Sequence, residues 1–317
     1  MRQIVFATLA FTACSTSTGD SDSTGGIEPL APPPAGEGFQ LEMEFTAPAL
    51  TEVWMCNVYT IPITEPAAVN QVEYQQNFGT HHMSISTMGL VGGQIEPGQY
   101  DCNDLYADPE FMENQIMIFG GQGDADGEIN LPEGVVANLP VGIDIIHEVH
   151  YVNYASEDVE LYSRVNAWTI PQNQVTDGIW GGSVRDYNIE IPPQSEHVEW
   201  TRCLMNEDVD VLFLASHMHK TGFHYTIAPF DGTTVGEVMY TNDDWHSPKV
   251  VQFDTPMRVE KGKGFEFACH YRNETDAPIR YGLTADDEMC TMTLVHTPMS
   301  ITAKCEIVAA SNALTAE

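Results

Sequence analysis

Ile145-Ile146-His147-Glu148-Val149-His150-Tyr151-Val152 decides the class of fold. β-Branched and aromatic residues dominate it, so it reads as a strand whose side chains alternate between two faces. His150 and Glu148 then share one face and His147 points to the other. An H-E-x-x-H zinc motif belongs on a helix; the spacing here is H-E-V-H in a strand, which excludes a metzincin-like site. Working outward, similar short runs recur at 53–60, 82–88, 161–169, 209–216, 225–229, 265–271 and 292–296. No long amphipathic helix is visible, and 25 Gly and 19 Pro supply the punctuation of an all-β chain. The expected architecture is a β-sandwich or jelly roll, in two copies given 317 residues, joined through 171–183 (PQNQVTDGIWGGS). No repeat of solenoid or propeller period is present.

Lys and Arg number 12 against 46 Asp and Glu, a formal net charge of −34. Phosphate contact needs a basic footprint, so a nucleic-acid partner is excluded. The hydrophobic fraction of 43% with 9% aromatics excludes a disordered acidic tail.

The opening MRQIVFATLAFTAC has one positive charge at Arg2, an apolar stretch from Ile4 to Phe11 and small residues before Cys14. It reads as a secretory signal over residues 1–14, too short to cross a bilayer as a helix. Its end resembles a bacterial lipobox, with Phe11 in place of the usual Leu, in which Cys14 carries the lipid; a simple cleaved signal or a buried apolar segment is the alternative. Residues 15–39, rich in Ser, Thr, Gly, Asp and Pro, are expected to form a flexible tether. By analogy with lipoprotein sorting, Ser15 after Cys14 favours the outer membrane. The expected location is therefore the outer membrane or surface of a bacterium, or else the periplasm or medium, with membrane contact only through the lipid.

Removing Cys14 leaves Cys56, Cys102, Cys203, Cys269, Cys290 and Cys305. An even number in an exported chain is read first as three disulfides, and six cysteines allow fifteen pairings.

Val211-Leu212-Phe213-Leu214-Ala215-Ser216-His217-Met218-His219 ends an apolar strand with two imidazoles at i and i+2. On a strand both project from one face, as binding one ion requires, while Met218 faces away into the core. His81 and His82 are adjacent, so they share an ion only at a bend or bulge, which Gly79 makes feasible. In Asp286-Asp287-Glu288-Met289-Cys290 a thioether follows three carboxylates. Met289 beside two imidazoles would form a soft site that selects copper. The acidic stretch around Asp124 and Asp126 partly matches an EF-hand loop, but Gln122 replaces the first Asp and no helices flank it, so it reads as an acidic turn.

Taken in order, H-H-M at His81, V-H-Y at His150, H-x-H followed by Gly222 at His217 and His219, and D-E-M-C at Met289 resemble the copper type II, ascorbate-dependent monooxygenases. These are the relatives of peptidylglycine α-hydroxylating monooxygenase and dopamine β-monooxygenase. The resemblance covers about residues 42–308. It implies two tandem jelly-roll-like domains, 40–178 and 179–310 followed by a tail at 311–317, with a cleft between them and one copper on each. By that resemblance His81, His82 and His150 hold the electron-transfer copper, and His217, His219 and Met289 hold the copper that meets oxygen and substrate. It also implies the pairs Cys56–Cys102, Cys203–Cys305 and Cys269–Cys290, the last fixing the backbone that presents Met289.

The activity implied is hydroxylation of a substrate C–H bond with O2 and an external one-electron reductant such as ascorbate. Glu148 would be a gate or an outer partner of the first copper, or else an exposed acid. The peptide-amidating relatives carry an Arg two residues before H-x-H and an Asn and Tyr after D-E-M-C; here those stretches read Ala215-Ser216 and Thr291-Met292-Thr293. A small or hydrophobic substrate is therefore expected, not an anionic peptide. The competing expectations are a non-catalytic copper-binding surface lipoprotein with the same fold, and a cupredoxin, which needs a Cys thiolate ligand.

Overall fold

The segment that opened the reading lies at the centre of a sheet. In the strand Asp144–Val152, Ile145 and Val149 enter one hydrophobic core, while Ile146, on the opposite face, enters a second cluster with Val58, Cys56 and Tyr106. Both faces are covered, which is why the strand is buried from Asp144 to His150. His147 faces the first core and meets Ser163 Oγ through Nε2 at 2.8 Å.

The computed structural model describes residues 28–312, apart from 62, 89–94, 108–114, 122–124, 246–247, 283 and 285. The expected leader, Cys14, most of the tether, Asp124 and most of the tail lie outside the described residues.

The strands of the N-terminal half are β1 (Gly38–Ala47), β2 (Glu52–Thr60), β3 (Ala67–Gln76), β4 (Thr80–Met88), β5 (Gly98–Asp101), β6 (Gln115–Gly121), β7 (Asp126–Asn130), β8 (Val135–Leu139), β9 (Asp144–Val152), β10 (Val159–Thr169) and β11 (Asp177–Gly178). A single turn of helix, α1 (Cys102–Tyr106), lies between β5 and β6 and is capped by Asp101, whose side chain accepts from Asn103 N at 2.9 Å. The C-terminal half contributes β12 (Trp180–Arg185), β13 (Glu190–Ile191), β14 (Ser195–Met205), β15 (Val209–His217), β16 (Gly222–Phe230), β17 (Tyr240–Asn242), β18 (Val250–Val259), β19 (Gly264–Asn273), β20 (Ile279–Arg280), β21 (Thr291–Thr297) and β22 (Cys305–Ala310). The chain is all-β, as its sequence implies.

Strands pair in the orders β1-β10-β3-β8-β11, with β7 also on β3, and β5-β2-β9-β4-β6. One core is shared between these two sheets: Leu41, Val69 and Val165 come from the first, and Met83, Phe119 and Ile145 from the second. In the C-terminal half the orders are β12-β21-β15-β18 and β17-β16-β19-β14-β22. Val211 and Leu294 of the former pack with Tyr225, Phe265 and Phe267 of the latter, all five nearly or fully buried. The chain passes from one pair of sheets to the other between Gly178, paired with Val136, and Trp180, paired with His296.

Leu30 and Ala31, within the expected tether, are held on the first sheet. Leu30 N donates to Gln75 Oε1 at 3.0 Å, and the carbonyls of Leu30 and Ala31 accept from the Gln40 and Asn166 side chains at 2.9 and 2.8 Å. Amide side chains of the first sheet thus satisfy backbone groups that a free tether would leave to water.

The two halves repeat one arrangement. Thr80 and His82 of β4 face Tyr151 and His150 of β9, with a register shift between them. Gly222 and His224 of β16 face Tyr271 and His270 of β19, with the same shift. In each shift one residue is extra, His81 in the first and Phe223 in the second. After each long strand an Asn locks the following loop. Asn153 Nδ2 donates to the carbonyls of Ala47, Pro48 and Glu157 at 2.9–3.0 Å, and its Oδ1 accepts from Ala155 N. Asn273 Nδ2 donates to the carbonyls of Ile191, Pro192 and Ala277 at 2.9–3.2 Å, and its Oδ1 accepts from Thr275 N.

Three disulfides join Cys56 to Cys102, Cys203 to Cys305 and Cys269 to Cys290. They fit an exported protein, because thiols of the reducing cytosol stay unpaired.

Candidate metal centre

The bulge at His81 solves the problem that adjacent residues pose on a strand. With the extra residue in β4, His81, His82 and His150 turn to one place, their ring centroids 5.0–5.1 Å apart and one candidate ligand nitrogen from each within 4.8 Å of the others. Two carboxylates hold the rings from behind. Glu148 meets His82 Nε2 at 2.7 Å and Glu52 meets His150 Nε2 at 2.6 Å. That leaves Nδ1 of each ring for an ion, and Nδ1 of His82 is buried with no hydrogen-bond partner. A carboxylate on the far nitrogen of a ligating imidazole fixes its tautomer and raises its basicity. These residues therefore fit a bound transition metal.

Glu148 is the hub of this side. Besides His82 it accepts from Trp54 Nε1 at 2.9 Å, Ser84 Oγ at 3.2 Å and the Tyr106 hydroxyl. Burial opposes its charge, but these hydrogen bonds, led by that of His82, prevail and hold its pKa at about 2. It is buried, not the exposed acid that was one of the expectations. Tyr106 reaches it from α1, which is anchored through Cys102 to Cys56 on β2.

The second set lies at the end of β15. His217 closes the strand, and His219 lies beyond it in the turn to β16, a departure from two imidazoles on one regular strand. The turn still brings the rings to 5.2 Å. Nδ1 of His219 meets the Asp287 carbonyl at 3.1 Å, which leaves Nε2 available. Met218, between them, is buried in the core as expected. Glu288 ties this turn to Met289: its carboxylate accepts from the backbone N–H of His219, Thr221 and Met289 at 2.7–3.2 Å and from Thr221 Oγ1. Burial nonetheless pushes the Glu288 pKa up. Tyr271 adds a hydrogen bond to the Met289 carbonyl at 2.8 Å, and Cys290 is bonded to Cys269.

The two sets face each other. His217 lies 6.4 Å from His81 and 6.2 Å from His82 between ring centroids, and Trp245 packs against His81 at 5.4 Å. Both sets line one cavity of about 250 Å³. Burial, followed by the mutual repulsion of the rings, keeps His81 and His217 far below the usual imidazole range. Burial likewise brings His219 down to about 4 and lowers His150. Neutral imidazole is the form that binds metal, so the cluster is held ready for a cation.

The sheet β12-β21-β15 forms part of the cavity wall in three rows given by its register. Gly181, Val295 and Phe213 make an apolar row, Ser183, Thr293 and Ala215 the next, and Arg185, Thr291 and His217 the third. Opposite lie Val69, Val72, Ile118, Phe119, Ile129 and Leu131 of the other half.

Residues 180–316 match the family model described as copper type II ascorbate-dependent monooxygenase, C-terminal domain. The C-terminal half is thus similar to that domain. The match spans His217, His219 and Met289, the soft imidazole and thioether set now described.

The six candidate ligands, Glu148 and the Cys269–Cys290 pair were named from the sequence; the other supports were not. Glu52, Trp54 and Tyr106 stand 98, 94 and 42 residues from the partners they hold, and nothing local marks them. Arg185 was also silent, since only strand pairing carries it to the row of His217.

The bond between Cys269 and Cys290 has a checkable consequence. Replacing both by Ala is expected to lower stability by about 2–5 kcal/mol. It should also weaken copper binding at the Met289 side by about 10–100-fold, as loss of an outer support does, while the His81 side is unchanged. Copper titration against a competing chelator measures both.

Proposed function

We propose that this chain is an exported dicopper monooxygenase that hydroxylates a C–H bond of a small, mainly apolar substrate, using O2 and a one-electron reductant such as ascorbate. The observation that carries this reading is that two ligand sets of different softness face each other across one apolar-walled cavity. Copper, when bound, supplies the one-electron steps and the activation of oxygen; overall R–H, O2, two electrons and two protons give R–OH and water.

The residues divide the remaining work. His81, His82 and His150 hold the electron-transfer copper, with Glu148 and Glu52 fixing the rings. His217, His219 and Met289 hold the copper that meets oxygen and substrate, with Glu288 and the Cys269–Cys290 bond setting the position of Met289. The apolar wall excludes water from the apolar body of the substrate. Ser183, Thr291, Thr293 and Arg185 offer its polar end hydrogen bonds and one positive charge beside His217. Attachment of the exported chain to an outer membrane through Cys14 completes the reading.

The test is copper content with oxygen uptake. Two coppers per chain that survive desalting, and oxygen uptake that depends on ascorbate, are expected. Fewer than two such coppers, or no reductant-dependent uptake, would overturn the proposal.

A further inference from the structure

Arg164, Arg202, Arg258, Arg272 and Arg280 each pair with a carboxylate at 2.6–3.2 Å. Arg185 pairs with none among the described residues, although the chain carries 46 Asp and Glu. It lines the cavity, half-buried, in the row of Thr291 and His217, and its side chain bonds that of Tyr281. A guanidinium has five N–H donors, more than one phenol occupies. Thr291 lines the same place, and its Oγ1 is buried with no hydrogen-bond partner. A buried hydroxyl left so carries a desolvation penalty that a bound acceptor removes. An unpaired cation and an unpaired hydroxyl in one row fit a carboxylate, held by charge-assisted hydrogen bonds.

The wall leads from this pair to apolar surface. Ser183 and Thr293, in the next row, bond each other through their hydroxyls at 3.1 Å, so they demand no partner from a ligand. Gly181 lies four residues before Arg185 on β12, about 14 Å along a strand, which is the span of an extended chain of about ten carbons. Gly181 and Val295 also line a second cavity, of about 50 Å³, which shares Ile118 and Ile179 with the first and ends against Leu139, Trp180 and Met299. Ile118 and Leu139 belong to one half and Val295 and Met299 to the other, so this second cavity lies at the seam between them.

We infer that the cavity takes a straight-chain anionic amphiphile, its carboxylate on Arg185 and Thr291 and its alkyl tail laid along β12 and β21 into the second cavity. A peptide in the same place would bury amide groups against Phe213 and Val295 with nothing to bond. The inference names the substrate class of the proposed hydroxylation and rests on that reading for the fate of the bound molecule. Binding itself needs neither oxygen nor turnover.

Calorimetric titration of the copper-loaded full chain with straight-chain carboxylates tests this. Octanoate is expected to bind at least tenfold more tightly than octanol or octylammonium. Arg185→Gln should remove that advantage, and Thr291→Val should weaken octanoate severalfold. From butanoate to decanoate the affinity should rise by about threefold per methylene, the usual gain for burying one. Val295→Phe, which fills the passage, should reduce the ratio of decanoate to butanoate affinity at least tenfold. Octanoate bound no better than octanol and octylammonium, or bound equally by the wild type and Arg185→Gln, would overturn the inference; so would decanoate bound no more tightly than butanoate. Decanoate bound as expected by a chain that takes up no oxygen would remove the hydroxylation and leave this inference standing.

Discussion

Glu148→Ala is expected to lower the stability of the metal-free protein by about 3–5 kcal/mol and to weaken the first copper by about 10–100-fold. The first figure follows from the donors it leaves. Trp54 Nε1, Ser84 Oγ, the Tyr106 hydroxyl and His82 Nε2 all meet this one carboxylate. Each orphaned buried donor costs about 1–3 kcal/mol, and neighbours are not additive, so the sum stays below four full penalties. The second figure is the usual effect of removing the partner that orients a ligating imidazole. Glu148→Gln keeps an acceptor of the same shape, so it should recover most of the stability and less of the affinity. Urea unfolding of the metal-free chain and Cu(I) competition titration read the two effects separately. An alanine variant unchanged in both would contradict the role assigned to this group.

Met289→Ala is expected to reduce turnover by more than the roughly 100-fold that an outer partner can cost, because it removes one of three donors themselves. The His81 side is held by β4 and β9 of the other half and should keep its copper. Stability should fall by about 2–5 kcal/mol, since Met289 is 8% exposed and its loss opens space in the wall. Met289→His separates the two effects: it restores a donor of harder character and fills the space. The expected pattern is copper retained, turnover still low. Single-turnover kinetics with X-ray absorption at the copper edge would show whether sulfur has left the second set. Turnover equal to the wild type in Met289→Ala would remove this residue from the site.

Both predictions rest on supports that sequence alone does not disclose, and the reason is physical. β9, β15 and β19 announce themselves because their core faces are apolar and turn residues bound them. β18 (VVQFDTPMRV) does not: it carries Pro256, which an edge strand tolerates, and β18 is an edge of its sheet. The candidate ligands stood out because imidazoles and a thioether are chemically distinct and lie in short motifs such as H-H-M, H-x-H and D-E-M-C. Glu148 was legible as an acid but not as a buried hub, since its burial is decided by α1, far along the chain. His219 leaves the strand yet its ring still meets that of His217, because a turn can aim a ring as well as a pleat can. The H-Y-x-N stretches His150–Asn153 and His270–Asn273 held the sign of an internal repeat. Their meaning depended on a strand register that only the fold supplies.

The claim at the centre is that one cavity joins two copper sites to carry out hydroxylation, and isotope-labelled O2 tests it directly. The copper-loaded chain is incubated with ascorbate and a pool of small apolar substrates, including members with a single anionic group to meet Arg185, and the products are read by mass spectrometry. One labelled oxygen atom per product molecule, absent from Met289→Ala, is the result expected. Full copper loading with neither labelled product nor reduction of oxygen would contradict the account and leave a copper-holding protein in its place.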